Sequence, residues 1–110
     1  MQIGKHSAIL LICSFGLDRS LCLKRELVFE RHYRDVINIG IHTTDKDIQE
    51  ILGAWADLII VIADDSVWNV IPFDLRGKAI YKNIGKDIWN SPEHPELKKI
   101  CKRVADELGL

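Results

Sequence analysis

Four short apolar runs divide the chain: Ala8–Cys13, Asp35–Ile41, Leu58–Ala63 and Lys78–Ile84. Each is rich in Ile, Val or Leu and is bounded by Gly, Asp or charged residues, which is the pattern of short strands. Their nearly unbroken apolar character, without the alternation of a half-exposed sheet, predicts a sheet covered on both faces. Between the runs the apolar spacing changes to three and four. Arg19–His32 places Leu23 and Leu27 four apart, and Asp45–Trp55 sets Ile48, Ile51, Leu52 and Trp55 on one side of a helix. Ser66–Phe73 reads as a further, short helix. Pro95–Leu108 carries Leu97, Ile100, Cys101, Val104 and Leu108 at helical spacing, with Pro95 suited to a first turn. Strand and helix alternate, so right-handed crossovers should wind a parallel sheet. The expected fold class is α/β, a three-layer sandwich around a four-stranded parallel sheet, in one domain over residues 1–110.

At 110 residues and 47% hydrophobic, the chain has material for one core and not for two. Fifteen Lys and Arg against sixteen Asp and Glu leave a formal charge of -1, a balance that implies no nucleic-acid or anionic-membrane partner. The longest apolar stretches, Ala8–Cys13 and Leu58–Ala63, fall far short of the roughly 20 residues that cross a bilayer. No small-residue cleavage site closes the first of them, so it is not read as a secretory leader, and a cytoplasmic location is expected. Cys13, Cys22 and Cys101 are too few and too unevenly placed for a disulfide framework and are read as free thiols. His6, His32, His42 and His94 lie far apart, and neither a metal nor another cofactor is expected. Lys24, Arg25, Arg31 and Arg34, interleaved with Glu26, Glu30 and Asp35, read as a solvated face.

In a parallel sheet of this kind, ligands bind beyond the carboxyl ends of the strands. The segments there are Ser14–Ser20, His42–Thr44, Asp64–Ser66 and Gly85–Trp89. The first carries the densest chemistry: Cys13-Ser14-Phe15-Gly16-Leu17-Asp18-Arg19-Ser20, directly before a helix. Successive backbone N–H groups in a tight loop of this type form a concave anion site, so Ser14, Phe15, Gly16, Leu17, Asp18, Arg19 and Ser20 are candidate phosphate-binding residues. The planar fork of Arg19 suits two phosphoryl oxygens. The same positive field favours the thiolate of Cys13, the form that attacks phosphorus, and Ser20 is placed to donate a hydrogen bond to the sulfur. The same stretch also reads more plainly, as a buried strand-end cysteine, a turn glycine and a helix-starting Asp-Arg-Ser.

At these residues the chain resembles the low-molecular-weight protein tyrosine phosphatase family, whose signature after the first strand is Cys, five residues, Arg, then Ser or Thr. Cys13 to Ser20 is C-x5-R-S. Ala54-Trp55-Ala56-Asp57-Leu58 is similar to the family's turn into its third strand, and Gly77-Lys78-Ala79-Ile80, Asp87-Ile88-Trp89 and Pro95-Glu96-Leu97 resemble the last strand, acid loop and closing helix of its short members. The resemblance implies Cys13 as nucleophile, Arg19 as phosphate clamp, Asp87 as the acid that protonates the leaving oxygen, and Trp89 as a wall for the substrate ring. It implies phosphotyrosine or another phosphomonoester as substrate. Gly16 stands where the family usually has Asn, Leu21 where Pro often follows the serine, and Ile88 where Pro usually follows the acid. Asp64 and Asp65 are the alternative acids. Cys13-Ser14-Phe15-Gly16 is also similar to the Cys-Ser-x-Gly run of sugar-phosphotransferase IIB components, which carry a phosphoryl group on cysteine and usually lack the arginine. A phosphatase-like module that binds a phosphorylated partner without turnover is a third reading. Arsenate reduction is disfavoured, because no resolving cysteine pair lies near the loop and Cys22, inside the following helix, is assigned no redox role.

Overall fold

The computed structural model describes residues 3–110. Four strands, β1 (Ala8–Cys13), β2 (Asp35–Gly40), β3 (Leu58–Ala63) and β4 (Ala79–Asn83), pair in parallel in the order β2-β1-β3-β4. The helices are α1 (Arg19–Arg25), α2 (Lys46–Trp55), α3 (Asp65–Trp68), α4 (Phe73–Arg76) and α5 (Pro95–Glu107). β1 and β3 hold the middle of the sheet, and every residue of β1 is buried. That burial on both faces is what its unbroken run of Ala, Ile, Leu and Cys requires. On one face Ile9, Leu11, Ile60 and Ile62 pack with Cys22 and Leu23 of α1 and with Leu97, Cys101 and Val104 of α5. On the other, Leu10, Ile12, Ile59 and Val61 meet Val67 of α3, Leu75 of α4 and the partly buried Leu52 of α2. Among the described residues no helix is long and apolar enough to cross a membrane.

Several boundaries depart from the hydrophobic pattern for identifiable reasons. α1 stops at Arg25 and runs on as one π turn, Glu26–Glu30. The chain then leaves through His32, whose φ of 64° is left-handed, and the Tyr33 N–H returns to the Leu27 carbonyl at 3.0 Å. The single helix expected over Ser66–Phe73 is two short ones, α3 and α4. Pro72 between them has no N–H to give and disfavours helical backbone at Ile71. Asp64 caps α3, its carboxylate accepting the Ser66 N–H at 2.9 Å.

On α2 the buried side is not the apolar stripe. Ile48, Ile51 and Trp55 are exposed, whereas Gln49 and Gly53 are buried. The Gln49 amide donates to the Thr44 carbonyl at 2.7 Å and the Ile41 carbonyl at 3.3 Å, so its burial leaves those donors satisfied. A Cβ at Gly53 would lie 2.2 Å from Leu75 Cδ2, so the Leu75 side chain of α4 occupies the space that the glycine leaves. Lys78 precedes β4 rather than opening it. Its ammonium caps the end of α2, donating to the carbonyls of Gly53 at 2.8 Å and Ala56 at 3.3 Å.

The segment after β1 leans on the end of β2. Ile41 N–H donates to the Cys13 carbonyl at 2.8 Å, His42 N–H to the Ser14 carbonyl at 3.0 Å, and the Asn38 amide to the Gly16 carbonyl at 2.9 Å. The approach leaves no space for side chains. A Cβ on Gly40 would sit 2.2 Å from the Phe15 carbonyl carbon, and one on Gly16, where φ is +74°, would sit 2.8 Å from the Gly40 nitrogen. Gly40→Ala should therefore lower stability in denaturant unfolding by about 1–3 kcal/mol, the range for an overpacked site. Gly77→Ala, with nothing within 4 Å and an ordinary helical φ of -62°, should change it by less than about 1 kcal/mol.

Candidate functional site

Cys13 ends β1 at the carboxyl edge of the sheet, with 1% of its surface exposed. Its sulfur receives the Gly16 N–H at 3.3 Å and lies 3.0 Å from Ser20 Oγ. The Asn38 amide reaches the same hydroxyl at 3.4 Å, which leaves the hydroxyl's own proton for the sulfur. Asn38, on β2, thus braces the loop at two points, Gly16 and Ser20. Among the described residues, the backbone N–H groups of Phe15, Leu17, Asp18, Arg19 and Ser20 have no backbone acceptor. The side chains of Phe15 and Leu17 are exposed, and the Phe15 ring leans on His42 with centroids 5.6 Å apart.

Arg19 is fully buried, yet its guanidinium points to the carboxyl edge of the sheet. Nη1 donates to Asp64 Oδ2 at 2.9 Å and to the Gly85 carbonyl at 2.7 Å, and Nη2 donates to Ser14 Oγ at 2.7 Å. Nε is buried and has no acceptor. One edge of the fork is committed to the loops after β3 and β4. The other, Nε with Nη2, has only a serine hydroxyl. Asp64 is held ionised: its hydrogen bond from the Ser66 hydroxyl, together with Arg19 and the Ser66 N–H, brings its pKa down to about 2 against the effect of burial. That excludes Asp64 as a proton donor near neutral pH. Asp65 is occupied with the Tyr81 hydroxyl at 2.7 Å.

Asp18 behaves differently. It precedes α1 but makes no capping hydrogen bond with its side chain. Its carboxyl keeps its proton to higher pH than usual, first because of burial and then because the Asp87 carboxyl stands within hydrogen-bonding reach, with Arg19 acting in the opposite sense. The structure therefore brings the expected acid, Asp87, from the loop after β4 to the loop after β1. Trp89 is not with it. Its ring is half-buried against the α1/α5 core and edge-on to His94, 5.1 Å between centroids, so it packs where a substrate wall was expected. The exposed aromatic at the loop is Phe15.

No protein-family model, curated protein or solved structure matches the chain. The site thus rests on its own geometry. Three contributors escape a reading of the sequence: Asp64 as the counter-ion of Arg19, the Gly85 carbonyl, and Asn38 beneath the loop. Asp64 at a strand end on the same sheet edge was the available signal, since a buried arginine must find an anion there. Asp64→Ala removes that anion, so it should lower stability at neutral pH by about 3–5 kcal/mol. The pH dependence follows from the depressed carboxyl. Its contribution is complete above the unfolded value of 3.8 and is lost as pH falls through about 2, so wild type and variant should converge in acid, measured by denaturant unfolding at several pH values.

Proposed function

We propose that the chain is a phosphomonoester hydrolase acting through a phosphocysteine intermediate, with a low-molecular-weight phosphotyrosine phosphatase-like version of the α/β fold. Its substrate is a phosphorylated protein, phosphotyrosine by resemblance, or a small phosphomonoester. The observation that carries this reading is the half-used fork of Arg19. Nη1 is anchored, while Nε lacks an acceptor beside the cysteine loop. Two phosphoryl oxygens are what the Nε–Nη2 edge binds side by side, one of them replacing Ser14 Oγ. The Cys13 sulfur then attacks phosphorus, the S–P bond forming as the ester P–O bond breaks, and the leaving oxygen takes a proton from the Asp18–Asp87 pair. A water gives its proton back to the pair as its oxygen attacks phosphorus, the S–P bond breaks, and phosphate departs. Charge on the equatorial oxygens is met by Arg19 and by the loop N–H groups.

The burial of the Cys13 nucleophile favours a second reading, a loop that holds a phosphate group without turning it over. Turnover of para-nitrophenyl phosphate separates the two. The wild-type chain should release nitrophenol, Cys13→Ser should lose this by about 10³-fold or more, and Asp87→Asn by about 10²-fold or more. Phosphate binding without nitrophenol release by the wild type establishes the second reading. For kcat/KM, the rate should fall on the basic side as the carboxyl pair loses its remaining proton. Asp87→Asn should move that limb to lower pH in the activity that remains, because the neighbouring carboxyl that helps hold the proton on Asp18 is gone.

A further inference from the structure

Cys22 of α1 and Cys101 of α5 lie in one buried cluster beneath those helices, and Cys101 Sγ meets the carbonyl of Arg19, three residues before Cys22 in the same helix, at 3.9 Å. Cys13 ends β1 with its sulfur 3.0 Å from Ser20 Oγ in the first turn of α1. The fold therefore brings Cys22 into one cluster with a thiol that is remote in sequence. Cys22 also lines a groove of about 790 Å³ whose walls include Arg25, Lys98, Lys102, Glu26 and Glu93. The groove gives a small polar oxidant a route to a thiol that is otherwise covered.

We propose that Cys22 and Cys101 are a peroxide-oxidisable dithiol site that closes to a disulfide between α1 and α5. The Cys22 thiol is held below the ordinary range, first by the neighbouring Cys101 thiol and further by Lys98 and Arg25, against burial and Glu26. The Cys101 thiol is pushed up by the same partner and by burial. Cys22, the thiol of the two that lines the groove, is the thiolate that attacks hydrogen peroxide. The O–O bond breaks, Cys22 becomes a sulfenic acid, and hydroxide leaves to become water with the proton Cys22 had released. The Cys101 thiol next attacks the sulfenic sulfur. The S–S bond forms, and the hydroxyl leaves with the Cys101 proton as a second water. Two thiols and one peroxide thus give one disulfide and two waters. Cys101 Sγ also lies 3.9 Å from the Arg19 carbonyl, so drawing the sulfurs to about 2 Å apart disturbs the first turn of α1.

The test uses the full chain, reduced and then exposed to about one equivalent of hydrogen peroxide near neutral pH, alkylated under denaturing conditions and digested. In the Cys13→Ser chain both remaining thiols should disappear together, a linked peptide pair containing Cys22 and Cys101 should form, and dithiothreitol should restore both thiols. The wild-type chain, which does not depend on how that variant folds, should give the same linked pair. Thiols that stay alkylatable in the wild-type chain, sulfinic or sulfonic acid on Cys22 without a linked pair, or a link from Cys13 to either partner overturns the proposal. Because the readout is covalent, it stands or falls separately from phosphatase turnover.

Discussion

A full positive charge with no solvent around it organises the carboxyl edge of this sheet. Arg19 tolerates burial because its donors reach three strand-end loops: Ser14 after β1, Asp64 after β3 and the Gly85 carbonyl after β4. The strand order makes this possible, since β1, β3 and β4 are neighbours in the sheet and their loops rise side by side. Desolvating two charges offsets much of their attraction, so the Arg19–Asp64 pair contributes geometry more than surplus stability. It sets where the guanidinium lies relative to the Cys13 sulfur.

The same edge sorts its carboxyls into two kinds. Asp64, bonded by Ser66 and paired with Arg19, is a fixed anion. Asp18, partly buried and facing Asp87, is a carboxyl that resists ionisation. One environment supplies an anchor for the cation and the other a place for a proton, from side chains of identical chemistry. The Gly85 carbonyl on Arg19 joins the two halves, because Asp87 follows it by two residues and so shares the tether.

The sheet was legible because strands buried on both faces leave apolar runs that few other structures produce, and the four runs match β1 to β4 within a residue at each end. The helices were less legible where a local contact outweighed periodicity. Gln49 is buried because its amide has carbonyl partners, and Gly53 because Leu75 needs the space, neither of which leaves a trace in an apolar stripe. The split at Pro72 was readable in principle from proline alone. Within the site, Cys13, Arg19 and Ser20 were legible because their spacing is local. Asp64 beside Arg19, Asn38 beneath the loop and Cys101 beside Cys22 were not, since each pairing is made by the sheet and its crossovers, with no local spacing to announce it. Trp89, expected as a substrate wall, packs its ring on His94 and the α1/α5 core, a pairing that no local spacing announces.

The interlock of Gly16 with Gly40 has an implication for anyone wishing to retune this protein. Two backbone segments touch there with no side chain between them, so neither codon can be randomised without dislodging the floor beneath the thiol. The residues on either side of Gly16 are of the opposite kind, with Phe15 52% and Leu17 65% exposed. Laboratory evolution aimed at ligand preference has its freedom at those two flanking positions, on a scaffold whose hinge point must stay bare.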